Sequence, residues 1–237
     1  MPVSVSANME TVWEKRPVLS PSLICLDMCN LQSQAETLER AGTDVLHADI
    51  IDGHFSPSLP LGLETVRQLK SRTGMQLDSH VMATENDYFV DELLDIGAAQ
   101  IVFHIETEPH ADHQLKKIKE RGVRAGVALK PATPLRELEY ILEYCDSVLL
   151  MLINPGYAWS AYERQVPYAE RKIKSLADMI RERGLNTGII VDGRVSLQNV
   201  ADFTALGASQ FVLGSTCLKH DDLRGGMEKL RAAAGLA

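Results

Sequence analysis

Two histidines and two aspartates stand at or near the ends of three short apolar stretches, and all four are residue types that bind divalent metals. His47 and Asp49 lie two residues apart in the first stretch. Because side chains alternate along a strand, both point to the same face. His80 and Asp192 end the other two stretches in a comparable way. If these strand ends meet, the His₂Asp₂ set suits Zn²⁺, Fe²⁺, Mn²⁺ or Co²⁺, and ligand type ranks these metals no further.

A divalent ion flanked by two carboxylates suggests a reaction at a sugar carbon. An ion bound to a ketose carbonyl and the neighbouring hydroxyl would stabilise an enediolate. Asp49 and Asp192, one on each face of the carbon, would remove a proton from one side and return it from the other. Met82, which ends the stretch that holds His80, and Met151, which ends another stretch, either shelter these carboxylates from water or are ordinary core methionines.

The elements that must position these side chains alternate between strands and helices along the whole chain. Short β-branched runs are separated by stretches whose apolar residues recur about every 3.6 positions. The predicted strands are Val18–Cys25, Asp44–Ile51, Gln76–Met82, Gln100–His104, Val123–Leu129, Ser147–Ile153, Gly188–Asp192 and Gln210–Gly214. The predicted helices include Leu31–Ala41, Tyr88–Ile96, Leu135–Tyr144, Pro167–Arg183 and Asp221–Ala234. Glycines that fit left-handed helix ends follow at Gly42, Gly97, Gly122, Gly184 and Gly207.

Eight strand–helix units in 237 residues predict an α/β protein with one closed domain. Strands that alternate with helices pair in parallel through right-handed crossovers. The length fits a (β/α)₈ TIM barrel, whose usual size is about 250 residues. A doubly wound open sheet is the alternative, but no Gly-x-Gly-x-x-Gly follows the first strand. We expect an N-terminal arm over residues 1–17 and a TIM-barrel catalytic domain over residues 18–237, with its site at the carboxyl ends of the strands.

Nine ordered segments carry a more specific pattern. They are Ser20-Pro21-Ser22-Leu23, HADIIDGHF from His47 to Phe55, DSHVM from Asp78 to Met82, Phe103-His104, AGVALKPATP from Ala125 to Pro134, Leu149-Leu150-Met151, Asn154-Pro155-Gly156, Val191-Asp192-Gly193 and Leu213-Gly214-Ser215. With these segments the chain resembles the ribulose-phosphate 3-epimerase family from Leu19 to Lys219. The resemblance implies a TIM barrel that inverts C3 of a phosphorylated ketose through a metal-stabilised 2,3-enediolate.

The same resemblance implies a role for individual residues. Four of them fall on the metal-ligand positions of the family: His47, Asp49, His80 and Asp192. Asp49 and Asp192 also fall on its two acid/base positions. Ser22 matches a serine that bonds near the reacting carbon, and two methionines that line the pocket are matched by Met82 and Met151.

The phosphate end of the pocket departs from the family pattern. The loop after the sixth strand usually reads Pro-Gly-Phe-Gly-Gly-Gln, and here it reads PGYAWS from Pro155 to Ser160, with Trp159 in place of a glycine. After the seventh strand the usual Asp-Gly-Gly becomes Asp192-Gly193-Arg194. Glycines let backbone N–H groups approach a phosphate, so these changes reshape that end of the pocket. Elsewhere in the pocket lining, Ile51 replaces a usual methionine.

We expect five residues to bind the substrate at this end: Gly156, Gly193, Arg194, Gly214 and Ser215. Gly214 and Ser215 precede the last helix, whose N-terminus favours an anion. Three interpretations of Arg194 and Trp159 remain open: a direct bidentate contact between Arg194 and a phosphate, a different substrate, or an Arg194 that faces solvent.

These observations predict a metal-dependent isomerase, a sugar-phosphate 3-epimerase of the ribulose 5-phosphate/xylulose 5-phosphate type. We expect one divalent ion, zinc first, with iron, manganese or cobalt as alternatives. One alternative is a 3-epimerase of allulose 6-phosphate or a tetrulose phosphate, and another is an inactive sugar-binding barrel. A phosphate-barrel lyase is disfavoured, because its usual Asp-x-Lys-x-x-Asp element is missing: residues 47–52 and 78–82 contain no lysine.

Composition limits the partners and the compartment. The chain has 24 Lys and Arg against 32 Asp and Glu, a formal charge of −8, and this balance disfavours nucleic acid. No apolar run reaches the length of about 18 residues that a membrane span needs. The four cysteines form no CxxC pair and the N-terminus lacks the apolar core of a secretion signal, so we expect a cytoplasmic protein. The resemblance also allows a homo-oligomer, although no sequence feature fixes its number.

Overall fold

Eight parallel strands form a nearly closed barrel in the computed structural model, which describes residues 9–14, 17–219 and 221–236. The strands are β1 Val18–Pro21, β2 Val45–Ile51, β3 Gln76–Met82, β4 Gln100–His104, β5 Arg124–Leu129, β6 Ser147–Met151, β7 Gly188–Asp192 and β8 Gln210–Leu213. Strands that follow one another pair from β2 to β8, and β8 pairs with β1. A parallel bridge between Ser22 and His47 brings the end of β1 to β2. The predicted single-domain TIM barrel is confirmed.

Helices lie between most of the strands. They are α1 Met9–Glu14, α2 Leu31–Arg40, α3 Leu63–Arg72, α4 Asn86–Ile96, α5 Ala111–Glu120, α6 Ala169–Glu182, α7 Val200–Ala205 and α8 Leu223–Ala233. All five glycines predicted to end helices have a positive φ, and Gly97 is itself the left-handed C-cap of α4. None of the helices in the described ranges combines the length and apolar character that crossing a membrane requires.

The helix predicted over Leu135–Tyr144 was wrong, because this segment forms two 3₁₀ helices, Leu135–Leu138 and Leu142–Tyr144. The spacing of Leu138 and Leu142 correctly predicts the buried face, since both are fully buried. Tyrosines and a β-branched isoleucine crowd the second half of the segment and have weak helix propensity. The tighter turns therefore replace one continuous helix before β6.

The first strand is shorter than predicted. It ends at Pro21, and Leu23–Cys25 turn into a 3₁₀ helix instead of extending the sheet. Proline has no N–H to donate, so the strand ladder loses a hydrogen bond at this point. The early turn places Ser22 at the mouth of the barrel.

The two faces of the sheet are both buried, so the side chains of one strand pack against the helices on one face and form the site on the other. On β2, Leu46, Ala48 and Ile50 belong to the large cluster that contains the apolar residues of the helices. His47 and Asp49 alternate with them and point into the barrel. A smaller apolar cluster has residues from five strands and one loop: Val102, Ala128, Leu149, Met151, Ile153, Ile190 and Val212. The sheet therefore presents these polar residues to the interior of the barrel and its apolar residues to the helices.

Part of the predicted N-terminal arm packs on the barrel. Of residues 1–17, the structure describes 9–14 and 17, so the rest of that prediction lies outside the described residues. Trp13 of α1 is 5% exposed and clusters with Val18, Val45 and Ala99, which lie at the amino-terminal ends of their strands or next to one. The guanidinium of Arg124 lies 5.3 Å from the centroid of the Trp13 ring. The end of the barrel opposite the predicted site is thus covered by α1.

Candidate active site

The four predicted metal ligands converge at the carboxyl ends of β2, β3 and β7. One ligand atom from each of His47, Asp49, His80 and Asp192 lies within 4.8 Å of the others. Asp49 Oδ1 is 3.2 Å from His47 Nε2 and 3.4 Å from His80 Nδ1, and Asp192 Oδ2 is 3.8 Å from the same His80 nitrogen. The barrel closure brings together residues that are up to 145 positions apart in the sequence.

The spacing and chemistry of these atoms fit one divalent ion. Metal–ligand distances of about 2.0–2.2 Å put neighbouring ligand atoms of a tetrahedral site about 3.3–3.6 Å apart. The buried atoms His47 Nε2 and His80 Nδ1 have no hydrogen-bond partner in the described part of the chain. Buried polar atoms rarely stay unpaired, and two imidazole nitrogens left facing a carboxylate pair are suited to metal ligation.

The second nitrogen of His47 is held by a buried polar network. His47 Nδ1 lies 2.7 Å from Asp78 Oδ2. Asp78 also accepts hydrogen bonds from Gln100 Nε2 at 2.9 Å and from Gln210 Nε2 at 2.6 Å, and all these side chains are buried. With Asp78 as the acceptor, His47 carries its proton on Nδ1 and presents the bare Nε2 to the site.

This role of Asp78 was not predicted from the sequence, although a signal was present. Asp78 stands two residues before His80 and so shares its face of β3. Its partners Gln100 and Gln210 come from β4 and β8, and no local pattern links them to β3. Only the closed barrel reveals the network.

His80 has a different outer partner. Its Nε2 lies 3.0 Å from His104 Nε2, and His104 Nδ1 lies 2.9 Å from Glu106 Oε2. Although Glu106 acts in the opposite direction, burial lowers the pKa of His104 to about 4. His104 is thus a neutral, hydrogen-bonded neighbour of the site, and His104 and Glu106 stand outside the four-residue cluster.

The two aspartates have opposite electrostatic environments. Burial disfavours ionisation of Asp49, but the charge of His47 and the close approach of both histidine rings outweigh it and lower the pKa of Asp49. Burial and the negative charge of Asp49 raise the pKa of Asp192 to about 6. His47 mirrors Asp49: burial opposes its protonation, and the charges of Asp49 and Asp78 raise its pKa well above the usual value. A cation bound among these groups would take the place of the additional proton that the raised pKa of His47 favours.

A cavity of about 400 Å³ opens onto Asp49 and Asp192. All the residues predicted to bind substrate line this cavity: Ser22, Met82, Met151, Gly156, Gly193, Arg194, Gly214 and Ser215. Ser22 Oγ donates a hydrogen bond of 2.5 Å to Asp49 Oδ2, which leaves Oδ1 facing both histidines. Ser58 and Pro60, which were not predicted from the sequence, follow β2 in a loop that also reaches the cavity.

Two glycines at this end are required by close packing as well as by conformation. Gly156 has a φ of +79°, and a Cβ there would lie 2.4 Å from Ser56 Oγ. Gly193 has a φ of +114°, and a Cβ there would lie 2.8 Å from the Ile153 side chain. The loops after β2, β6 and β7 therefore pack directly on one another, and larger residues at these points would push them apart.

Arg194 joins the loops after β6 and β7. It adopts a φ of +59°, and its Nη2 donates to Ala158 O at 2.8 Å and to Glu163 O at 3.4 Å. The side chain is half-buried and also lines the cavity, so Arg194 does not simply face solvent. Trp159, which neighbours Ala158, also lines the cavity and is 74% exposed, with its ring 6.3 Å from that of Tyr157.

Known sequences show which family shares these features. The model of the ribulose-phosphate 3 epimerase family matches residues 18–218. A ribulose-phosphate 3-epimerase of Escherichia coli (strain K12) is 32% identical over 92% of this chain and 96% of its own length. The ribulose-phosphate 3-epimerase of Synechocystis sp. is 36% identical over 85% of this chain and 87% of its own length. The chloroplastic ribulose-5-phosphate-3-epimerase of Arabidopsis thaliana is 32% identical over 98% and 82%.

Solved structures agree on the fold. The 3-hexulose-6-phosphate synthase of Salmonella typhimurium superposes with a TM-score of 0.66 at 17% identity, covering 92% of this chain and 98% of its own. The orotidine 5'-phosphate decarboxylase of Pyrococcus horikoshii gives a TM-score of 0.62 at 13% identity, covering 92% and 99%. At these identities the likeness concerns the barrel alone.

Proposed function

Because this chain belongs to the ribulose-phosphate 3-epimerase family, we propose that it is a metal-dependent isomerase that inverts C3 of a phosphorylated ketose of the ribulose 5-phosphate/xylulose 5-phosphate type. One observation carries the proposal. Asp49 and Asp192 both reach the same His₂Asp₂ cluster and both line the same cavity. A carbon placed between them has a carboxylate available on each side, as inversion requires.

The chain's own residues account for the proton transfers. One aspartate takes the C3 proton from one face of the ketose, which leaves a 2,3-enediolate, and the other aspartate returns a proton to the opposite face. In the reverse direction the two carboxylates exchange roles. When bound, the metal would supply positive charge to the oxygens on C2 and C3. His47, Asp49, His80 and Asp192 would hold that metal, with zinc first and iron, manganese or cobalt as alternatives.

Apolar walls keep these carboxylates away from bulk water. Met82, Met151 and Ile51 line the cavity and are at most 3% exposed. Burial makes a carboxylate a stronger base, and this effect prevails at Asp192, whose pKa is raised, but not at Asp49, whose pKa the histidines lower. The bond from Ser22 Oγ to Asp49 Oδ2 fixes the orientation of that carboxylate and puts a hydroxyl near the reacting carbon.

The phosphate of the substrate would lie at the other end of the cavity. Gly156, Gly193, Gly214 and Ser215 line that end, and Arg194 adds a cation there. A guanidinium binds a phosphate through charge-assisted hydrogen bonds, so Arg194 would replace donors that the changed loops no longer offer.

A second candidate is 3-epimerisation of a different ketose phosphate, such as allulose 6-phosphate or a tetrulose phosphate. Two features favour it: the exposed indole of Trp159 at the cavity and the hydrogen bond from Arg194 to Ala158 O. Both alter the proposed phosphate end of the cavity, where a longer or shorter ketose would differ in fit. An inactive sugar-binding barrel has less support, since such a protein would not need the complete His₂Asp₂ set. The cytoplasmic location and the homo-oligomer stay predictions.

A substrate panel tests the proposal. Zn²⁺-loaded protein is incubated with ribulose 5-phosphate, allulose 6-phosphate and a tetrulose phosphate, and the C3 epimers are followed by ¹H NMR. We expect turnover of ribulose 5-phosphate, whereas preference for another member would favour the second candidate. Failure to convert any of them, in protein that holds Zn²⁺, would support the inactive barrel.

A further inference from the structure

We propose that Glu106 is a positioning residue that sets the tautomer of His80 through His104 and so makes His80 Nδ1 available to a metal. The inference rests on the metal site of the proposed function. Glu106 lies after β4, outside the His₂Asp₂ cluster, and the proposed proton transfers do not use it. Its carboxylate is 2.9 Å from His104 Nδ1, and its side chain is 19% exposed.

Both oxygens of Glu106 act as acceptors. Oε1 accepts from the backbone N–H of Lys130 at 2.7 Å and from the Thr133 hydroxyl. Oε2 faces His104 Nδ1. A carboxylate has no proton to give, so His104 must carry one on Nδ1. In neutral His104 the other nitrogen, Nε2, is then a bare acceptor.

Through the contact between the two imidazoles, the tautomer of His104 determines which nitrogen of His80 carries a proton. Their Nε2 atoms are 3.0 Å apart, and a hydrogen bond at that distance holds one proton between them. Since His104 Nε2 accepts, His80 Nε2 donates, and neutral His80 is left with a lone pair on Nδ1. That is the atom that faces Asp49 Oδ1 and Asp192 Oδ2. Reversing the order would put a proton on His80 Nδ1 and block ligation.

The turn at residues 130–133, which donates hydrogen bonds to Glu106, is itself anchored. The ammonium of Lys172 on α6 donates to three backbone carbonyls, Lys130 O at 2.9 Å, Pro131 O at 2.9 Å and Thr133 O at 2.8 Å. Lys172 is 9% exposed, so these bonds form away from most solvent. They fix the same turn that presents Lys130 N–H and the Thr133 hydroxyl to Glu106.

Replacement of Glu106 by glutamine makes a specific prediction. Lys130 N–H can only donate, so the amide oxygen of the new side chain must take the place of Oε1. The amide NH₂ group then faces His104 Nδ1, which must become an acceptor. His104 moves its proton to Nε2, and His80 is driven to carry its proton on Nδ1. We expect Glu106→Gln to weaken Zn²⁺ binding about 10- to 100-fold, the usual range for outer partners of metal ligands.

The experiment combines ¹⁵N NMR of histidine-labelled, metal-free protein with Zn²⁺ titration by calorimetry. In the unmodified protein we expect protons on His104 Nδ1 and His80 Nε2. In Glu106→Gln we expect the His104 proton on Nε2 and the loss of affinity given above. Glu108→Gln is the matched control, because its carboxylate accepts only from His110 N–H two residues on in the described structure. The control should keep both the tautomers and the affinity.

The outcomes separate this inference from the proposed reaction. A proton on His104 Nε2 in the unmodified protein, or Glu106→Gln that binds Zn²⁺ as tightly as Glu108→Gln, would overturn the role of Glu106 and leave epimerisation standing. If Glu106→Gln does not fold by circular dichroism, the tautomers of the unmodified protein decide the question alone. Failure of the unmodified protein to bind Zn²⁺ would overturn both the inference and the metal site.

Discussion

Asp49 and Asp192 belong to the same cluster but are not equivalent. Asp49 is 4% exposed and is held by Ser22 and both histidines. The Asp192 side chain is 17% exposed and has one histidine nitrogen at 3.8 Å. The looser aspartate is free to meet the substrate, whereas the tighter one is oriented by its neighbours. Substitution of Asp192 therefore tests the proposed chemistry with less disturbance of the barrel.

Asp192→Asn should lower kcat for ketose-phosphate epimerisation by at least about 100-fold, because an amide cannot take a proton in the reaction. The fold should persist, since the amide has nearly the same shape. Steady-state kinetics and circular dichroism give the two readouts. Asp202→Asn, on the exposed face of α7, is the control, and activity of Asp192→Asn equal to that control would remove Asp192 from the mechanism.

The same variant predicts a pH-dependent stability difference in chelator-treated protein. Burial and Asp49 raise the pKa of Asp192 from 3.8 to about 6. A raised pKa favours the protonated form, so its stabilising contribution is complete below pH 3.8 and is lost as pH rises through about 6. Asp192→Asn should therefore be more stable than the unmodified protein above pH 6, by on the order of 1–3 kcal/mol.

Urea unfolding at pH 4 and pH 7.5 in the presence of a chelator measures that difference. We expect nearly equal free energies of unfolding at the lower pH and a more stable variant at the higher pH. The same difference at both values would show that the charge of Asp192 is not its cause.

At the residue scale, alternation along β2 and the types of His47 and Asp49 were enough to predict ligands that the structure brings together. The outer partners of the two histidines were not predictable in the same way. Asp78, beside His47, is held by glutamines from β4 and β8. Glu106, which is linked to His80 through His104, is held by the turn after β5. Such contacts depend on which strands become neighbours, which local spacing does not contain.

At the scale of elements, prediction worked best where one face of a segment packs on the barrel. Strands β3, β4 and β7 have the predicted bounds. The segment Leu135–Tyr144 shows the limit: periodicity found its buried face but not its 3₁₀ turns. The packing of α1 was also not foreseen, since a short helix gives little periodic signal and Trp13 finds its pocket only in the closed barrel.

Trp13→Ala tests that packing. Removal of a buried indole costs about 3–5 kcal/mol, and we expect a loss of this size in urea unfolding. Trp159→Ala is the matched control, because the same side chain is 74% exposed there and should cost no more than about 0.5 kcal/mol. Equal losses in the two variants would mean that α1 contributes little to the barrel.

The loops after β6 and β7 give a prediction about binding. Arg194 lines the cavity and ties these loops through Ala158 O and Glu163 O. Loss of a charged hydrogen bond to phosphate, about 1.5–3 kcal/mol, should raise the KM of Arg194→Ala for ribulose 5-phosphate by about 10-fold or more. Arg181→Ala, on exposed α6 surface, is the control, and an unchanged KM in Arg194→Ala would exclude its contact with phosphate.

At the scale of the whole molecule, closure of the barrel turns dispersed residues into one site. The net charge of −8 disfavours nucleic acid but does not oppose a phosphorylated sugar, because the cavity is governed by local groups. In the proposed site some of the acids would hold a cation at one end, and Arg194 and backbone amides would face the anion at the other. The alternation of strands and helices predicted this architecture, while the identity of the ketose depends on loops that depart from the family.

Exchange of the C3 proton with solvent is the most direct test of the central claim. Zn²⁺-loaded protein is incubated with ribulose 5-phosphate in D₂O, and ¹H NMR follows the C3 proton while mass spectrometry counts the deuterium. We predict incorporation of one deuterium at C3, together with appearance of the C3 epimer. With Asp192→Asn we predict that no deuterated epimer appears. Conversion to the epimer without deuterium at C3 would contradict proton transfer through the two aspartates.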